Sequence, residues 1–398
     1  MIDILFVDDE PAMLNSLKRA CRSMRKIWNC DFAEGPEKAL EKFSAKNFDL
    51  IISDMRMPGM NGAALLQKIK EISPQTIRFI LSGQSEGSAL LRSLEATHQF
   101  LSKPCEFDQL KAKIESSFKL QTDLKDSRLK ILLTQLNSLP SLKSFDEDLN
   151  KKLKIGNDNL DEIAKIISTD IGMSSKILQI ANSSFFGVSH NITSPEKAVK
   201  NFGLDLIKKL VLDCQIFHEI KGNIHENSLN KIWKHSFNLA NLSYRLAKEC
   251  KANQEIQDTS RSGGLLHEIG NIIIAIYFPE KYRQYHFLQN QYPETEPNMN
   301  MWDYSIIGSY LAGIWGLPSS IIEIIAFHNA PSKVCTGKVT PLTFVHIANA
   351  ILREKSLPSK DTSKRLLDLD YLERIFDSNQ IKRLISFSEE WIDQTAQS

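Results

Sequence analysis

The sequence predicts two domains of different class: a doubly wound parallel α/β domain over residues 1–120 and an all-α domain over 138–355. Three observations predict it. Short apolar segments alternate with helical ones up to about residue 120, the pattern of a parallel sheet with helices on both faces. Those apolar segments end in polar or acidic residues, as strands do where a parallel sheet gathers its functional groups. After "NSLPSL" (137–142) strand-like alternation nearly disappears and 3.6-residue periodicity takes over.

In chain order, "IDILFV" (2–7), "FDLIIS" (48–53), "IRFIL" (77–81) and "HQFLSK" (98–103) read as strands. Helical patterns lie between them at 11–27, 36–45, 62–72, 85–94 and 106–119. Leu110, Ile114, Phe118, Leu124, Leu132 and Leu136 extend an apolar stripe over 106–137, which suits one long amphipathic helix. Residues 121–137 would then be a linker helix and a candidate dimer contact. Beyond it helices are expected at 158–168, 173–182, 195–201, 203–218, 229–250, 260–277, 303–315, 318–328 and 341–353, with a C-terminal extension over 356–398. Pro195 after Ser194 and Pro318 before "SSIIEIIAFH" mark helix starts.

Length and composition bound the function. The chain has 398 residues, 42% of them hydrophobic, enough for two or three domains with cores of their own. Lys and Arg total 49 against 48 Asp and Glu, a formal charge of +1, so there is no electrostatic reason to expect nucleic acid or an anionic membrane as partner. Six cysteines are scattered without a CxxC pair, which argues against a zinc ribbon or a disulfide scaffold. No apolar run reaches 18 residues and no signal segment opens the chain, so it reads as cytoplasmic.

The first chemical signal is acidic. Asp8 and Asp9 follow "LFV" and Asp54 follows "LIIS", so three carboxylates meet at the ends of two strands. Like charges this close need a cation, and a hard, oxygen-rich site suits Mg²⁺. Lys103 and Ser82 close neighbouring strands, where an ammonium and a hydroxyl can serve an oxyanion at Asp54. An aspartate so equipped can accept a phosphoryl group as an acyl phosphate.

These residues resemble a response-regulator receiver domain, which has a flavodoxin-like fold: the acidic pair in "VDDE", "DMRMPGMNG" (54–62), "LSG" (81–83) and "KP" (103–104). The resemblance implies phosphorylation at Asp54 by a sensor histidine kinase. It implies Mg²⁺ held by Asp9 and Asp54, with Asp8 acting largely through water and the Arg56 carbonyl completing the set. It further implies that Ser82 and Phe100 shift together on modification, that Lys103 contacts the phosphoryl group, and that Lys103–Pro104 is cis.

The second signal is a set of histidines. His235 in "IWKHSFNLA", His267 with Glu268 in "LLHEIGN", His328 in "IIAFHNAP" and His346 in "FVHIANA" occupy similar helical surroundings. A metal hydrolase needs such ligands converging from several helices. Any one of them alone is more often a hydrogen-bonded interior residue. The stretches "LPSL" (139–142), "IAKIISTDIGMSSKILQIANSSFFG" (163–187), "ITSPEKAVKNFGLDLIKKLV" (192–211), "WKHS" (233–236), "GLLHEIGN" (264–271) and "GSYLAGIWGLP" (308–318) resemble the HDOD domain, a degenerate relative of the His-Asp phosphohydrolases.

In that family pattern His235 and His267 match metal-binding histidines. The following aspartate is Glu268, a histidine becomes Tyr304, a histidine pair becomes His328–Asn329, and the last carboxylate becomes Asn349. The resemblance therefore implies a degenerate site with no catalytic residues and no cofactor in the helical domain, which would relay a signal to an unknown downstream protein or small ligand. Two other readings stay open: a phosphorylation-gated cyclic-dinucleotide phosphodiesterase using His235, His267, Glu268 and His346, and a DNA-binding regulator. "NSSFFG" and "NITS", with Phe185, Phe186, Gly187 and Ile192, read as a helix end whose loop packs back on the core. Trp233, Trp302 and Trp315 read as core or subunit-contact residues.

Overall fold

A computed structural model describes residues 1–83, 93–119, 124, 126–154, 159–183, 191–219, 226–284, 303–334, 336–356 and 366–396. The expected helix at 85–94, Phe185, Phe186, Gly187 and Trp302 fall wholly or mostly outside them.

The first domain alternates β1 (Ile2–Asp8), α1 (Pro11–Ala20), β2 (Trp28–Glu34), α2 (Pro36–Ala45), β3 (Leu50–Asp54), α3 (Gly62–Ile72), β4 (Ile77–Ser82), β5 (Gln99–Ser102) and α4 (Phe107–Phe118). The strands pair in parallel in the order β2-β1-β3-β4-β5. Every residue of β3 and β4 is buried, as expected of strands covered on both faces. The order reverses direction between β1 and β3, and in such sheets the crevice at that switch point is where ligands bind.

Two expectations in this domain are corrected. β2 was not among the sequence-predicted strands. "WNCDFAE" lies at the sheet edge with only Trp28 and Ala33 buried, so it lacks an apolar run, yet it pairs with β1 along its whole length. The helix expected over 11–27 ends at Ala20, followed by a 3₁₀ turn over Cys21–Met24, because the chain must turn before β2.

The long helix expected over 106–137 is two helices, α4 and α5 (Ser127–Gln135). Asp126 takes an extended conformation and its side chain accepts from the backbone N–H of Arg128 and Leu129, a new N-cap that starts α5. The apolar stripe that suggested self-association is buried within the chain, with Leu110, Ile114, Phe118, Leu124 and Leu136 all under 9% exposed.

The second domain holds α6 (Lys143–Lys154), α7 (Leu160–Ile167), α8 (Ile171–Ala181), α9 (Pro195–Lys208), α10 (Glu226–Glu249), α11 (Gln254–Leu266), α12 (Ile269–Tyr277), α13 (Tyr304–Ile314), α14 (Ser319–Phe327) and α15 (Pro341–Ser356). A two-residue parallel pair, β6 (Pro140–Ser141) with β7 (His218–Glu219), is its sole sheet among the described residues. The helix expected over 260–277 breaks at His267 and Glu268: His267 caps α11 and Glu268, with ψ near 9°, precedes α12. The loop of "NITS" does fold back, since Asn182 Oδ1 accepts from the N–H groups of Asn191 and Ile192.

One apolar core runs from the sheet through α5 into α8, α12, α13 and α14. A second joins α10 and α15 to α16 (Leu369–Glu373) and α17 (Ser378–Ala396), so the C-terminal extension is a cap held by Tyr371, Leu384 and Trp391. Trp233 and Trp315 are core residues: their indole N–H groups donate to Asp170 Oδ2 (2.9 Å) and to the Leu136 carbonyl (3.0 Å). No helix among the described residues is long and apolar enough to cross a membrane.

Candidate functional site

Register brings the acidic residues level. Val7 stands opposite Ser53, Asp54 opposite Leu81 and Ser82 opposite Ser102, so the strand ends lie side by side. Ligand oxygens of Asp8, Asp9 and Asp54 lie within 4.8 Å of one another. Asp8 and Asp54 are 2% and 7% exposed. Lys103 Nζ bridges them, 2.6 Å from Asp54 Oδ1 and 2.9 Å from Asp8 Oδ2. The Arg56 N–H donates to Asp54 Oδ2 at 3.2 Å, and the Glu10 N–H to Asp8 Oδ1 at 2.9 Å.

Burial pushes the Asp54 carboxyl up from its ordinary range; Lys103 pulls against this and Asp8 adds to it. Burial works against the Lys103 ammonium, but its two carboxylate partners outweigh that and raise it. Three carboxylates against one ammonium leave negative charge uncompensated, and all the donors are hard oxygens, so the residues fit Mg²⁺.

The loop after β3 packs closely against Asp54. Asn61 caps α3 by accepting from the Ala64 N–H, and Gly62 packs so close that a Cβ there would stand 2.1 Å from the Asp54 carbonyl oxygen. Ser82 is fully buried at the end of β4, and Phe100, 4% exposed, stands opposite Ile80. The Lys103–Pro104 peptide is cis.

The histidines of the helical domain form a second cluster. One ligand atom from each of His235, His267 and Glu268 lies within 4.8 Å of the others, and the rings of His267 and His328 are 4.9 Å apart. His267 and His328 are fully buried. His267 Nδ1 lies 2.7 Å from the Gly264 carbonyl oxygen and must donate to it, which leaves Nε2 as an acceptor without a hydrogen bond. That atom faces Glu268 Oε1, another acceptor, at 3.4 Å. Two facing acceptors need positive charge between them, either a proton on Nε2 or a cation. Two imidazoles with a carboxylate suit a divalent ion of borderline softness. The expectation of no cofactor in this domain thus meets three of the four donors that the phosphodiesterase reading named, His235, His267 and Glu268, brought together.

The other members are held in place by hydrogen bonds. His328 Nδ1 donates to the backbone carbonyls of Ile324 and Ile325, which turns Nε2 toward the Tyr304 hydroxyl at 3.4 Å. Asn329 Nδ2 donates to that hydroxyl at 2.6 Å, and Asn349 Nδ2 to Asn329 Oδ1 at 2.9 Å. His346 is corrected as a candidate ligand: Nδ1 donates to the His328 carbonyl at 2.8 Å and Nε2 accepts from the Asp368 N–H at 2.9 Å, so neither nitrogen is available.

Burial, helped by neighbouring His267, pushes His235 down to about 4 and His328 to about 3, so both are neutral near pH 7. Burial opposes the Glu268 charge, yet His267, His235 and Asn271 hold it well below the usual carboxylate range. Asn271, whose amide donates to Glu268 Oε2, escaped the sequence reading because a neutral amide carries no motif signal.

Two family models match separate parts of the chain. Residues 4–115 match the family model of the response regulator receiver domain, and residues 139–331 that of the HDOD domain. An uncharacterized protein of Treponema pallidum is 24% identical over 199 residues, 49% of this chain and 38% of that protein. The transcriptional regulatory protein ZraR of Escherichia coli K12 is 32% identical over 117 residues, 29% of this chain and 26% of that protein. The chain thus spans between about a quarter and two fifths of the length of these curated relatives. The solved MmoQ response regulator of Methylococcus capsulatus is 17% identical with a TM-score of 0.46, covering 62% of this chain and 98% of that one.

Proposed function

Given that this chain joins a response-regulator receiver domain to an HDOD domain, the architecture of a two-component regulator, we propose that it accepts a phosphoryl group on Asp54 from a sensor histidine kinase. The observation that carries this reading is the position of Lys103 Nζ, 2.6 Å from Asp54 Oδ1 at the level strand ends. An Asp54 carboxylate oxygen attacks phosphorus in line, the new P–O bond forms as the kinase's N–P bond breaks, and the departing imidazole nitrogen keeps that electron pair and takes up a proton. The product is an acyl phosphate. Lys103 then faces the phosphoryl oxygens, and the Arg56 N–H, already aimed at Asp54, adds a neutral donor. Mg²⁺, held by Asp8, Asp9, Asp54 and the Arg56 carbonyl, would supply positive charge to those oxygens.

Ser82, fully buried at the end of β4, and Phe100 on β5 form the switch that carries the change outward. The helical domain acts as a non-catalytic relay toward a downstream protein or small ligand. Amides stand at Asn329 and Asn349 where a hydrolase needs ionisable or imidazole ligands, and the phosphodiesterase alternative loses His346 to backbone hydrogen bonds.

The test is labelling of the full chain by a small-molecule phosphodonor with Mg²⁺. Wild type is expected to label, and Asp54→Asn to lose labelling entirely while keeping its far-UV circular dichroism. Full labelling of the variant would remove Asp54 as the acceptor.

A further inference from the structure

Between the two clusters runs a continuous set of direct contacts. β5 is tied to the phosphoacceptor end of the sheet through Ser82–Ser102 pairing and the Lys103 N–H, which donates to the Ser82 carbonyl at 2.8 Å. Gln99, the first residue of β5 and 4% exposed, turns its amide away from the sheet. Its Nε2 donates to the last carbonyls of α13, those of Gly313 (3.1 Å) and Ile314 (3.0 Å), and lies 2.9 Å from Ser117 Oγ on α4. Ser117 Oγ also reaches the Gly313 carbonyl at 3.2 Å. The approach is close: a Cβ on Gly313 would stand 2.9 Å from the Ser116 carbonyl oxygen of α4. Carbonyls at a helix C-terminus are natural acceptors; the Gly313 carbonyl also accepts from the Gly316 N–H at 3.0 Å, and the receiver adds donors to it and to Ile314.

The opposite end of α13, about 16 Å away for 11 residues, enters the histidine cluster. Tyr304, its first residue, presents its hydroxyl to His328 and Asn329. Next to it, α13 crosses α12 backbone on backbone. A Cβ on Gly270 would stand 1.8 Å from the Tyr304 carbonyl oxygen, and one on Gly308 would stand 2.9 Å from Gly270 N. With backbone this close to backbone, a displacement of α13 bears directly on the start of α12, next to Glu268 and His267. The docked arrangement also carries a cost: Gln99 Oε1 and Gln179 Oε1, both buried at this junction, find no hydrogen-bond partner among the described residues.

We propose that α13 is a coupling rod, clasped at its C-terminus by Gln99 and Ser117 of the receiver, through which the state of Asp54 sets the geometry of the His235–His267–Glu268–His328 cluster. Gln99 is a positioning residue in this scheme, and the cluster is the effector site of the HDOD domain. The inference rests on the phosphoacceptor reading above.

The test uses the full chain with labelled histidine rings and isoleucine methyl groups, and beryllofluoride with Mg²⁺ as the phosphoryl mimic. In wild type the mimic is expected to shift the Ile80 methyl resonance on β4 and the ring resonances of His267 and His328. In Gln99→Ala the Ile80 shift persists and the ring shifts are lost. Ser117→Ala, which removes a single hydroxyl, gives the same pattern in weaker form and serves if Gln99→Ala does not fold. Ring shifts that survive in both variants, or that fail to appear in wild type although Ile80 responds, overturn the coupling and leave the phosphoacceptor intact. Absence of any Ile80 response in wild type removes the phosphoacceptor reading and this inference with it.

Discussion

The acidic cluster at the strand ends and the histidine cluster between the helices use similar residue types toward opposite ends. In the receiver, charge is concentrated and left reachable: Lys103 keeps 26% of its side chain exposed beside two buried carboxylates. In the helical domain the rings of His267 and His328 are sealed from solvent and pinned by backbone carbonyls, and His328 is neutral near pH 7. The proposed phosphoacceptor, which would take a group from another protein, is served by reachable, unbalanced charge. The proposed effector site, which would register the position of its helices, is served by fixed rings and short contacts to backbone.

The comparison breaks most visibly at Lys103. Among the described residues, Lys103 alone bridges Asp8 and Asp54 with positive charge, so Lys103→Met leaves two buried like charges. Breaking such a partly buried pair is expected to lower stability by about 2 kcal/mol in chelator. Millimolar Mg²⁺ is expected to restore most of it by binding the folded state alone. Denaturant titration with and without Mg²⁺ measures both. An equal loss with and without the ion would mean that the carboxylates do not share a cation.

How far each cluster could be read from the sequence follows from how its residues are placed. Asp8, Asp54, Ser82 and Lys103 all sit at ends of strands whose apolar runs mark them, so chain pattern alone brought them together. β2 lacked such a run and was invisible, although its parallel pairing with β1 is complete. His267 and Glu268 were legible as residues, but the helix break that aims them was not, since "GLLHEIGN" continues an apolar helical period without a proline or a capping side chain. The separation of His328 from His346 depends on which backbone groups their nitrogens meet, and no spacing rule carries that. Gln99 and Ser117 gave no signal at all, because neutral hydrogen-bonding groups acquire their meaning only from the α13 carbonyls they face.

A second contrast is expected in acid. His235 and His328, held by burial at about 4 and about 3, take up protons near pH 6.5 in the unfolded chain but not in the folded one. Their contribution is therefore fully present above about pH 6.5 and is lost as pH falls toward 4 and then 3. Each adds a slope of at most about 1.4 kcal/mol per pH unit in that window. The raised Asp54 carboxyl acts with the opposite sign, disfavouring the fold as it ionises, whereas Glu268, held low, acts with the histidines at the acid end of the window, and buried His98 and His346, also shifted down, add to the same slope. In chelator, wild type is expected to lose stability steadily over that fall in pH, and His328→Gln to lose it on a shallower slope. Identical slopes would mean that His328 titrates normally in the folded chain.

The smallest expected effect lies at the junction itself. Gln179 of α8 donates from Nε2 to the His98 carbonyl at 3.1 Å, one residue before Gln99. His98 is fully buried, with Nδ1 accepting from the Arg78 N–H and Nε2 donating to the Thr134 carbonyl, so this side of the receiver is fixed to both the linker helix and the helical domain. Gln179→Ala removes one neutral hydrogen bond and strands a buried carbonyl, a loss of about 1 kcal/mol, or roughly 2 °C in the unfolding midpoint for a chain of this size. If Gln99 and Ser117 are the path to α13, removing Gln179 loosens the docking without disconnecting the two clusters. The histidine ring shifts caused by beryllofluoride should therefore survive in Gln179→Ala at nearly wild-type size. Their loss there would assign the coupling to the whole junction rather than to the α13 clasp.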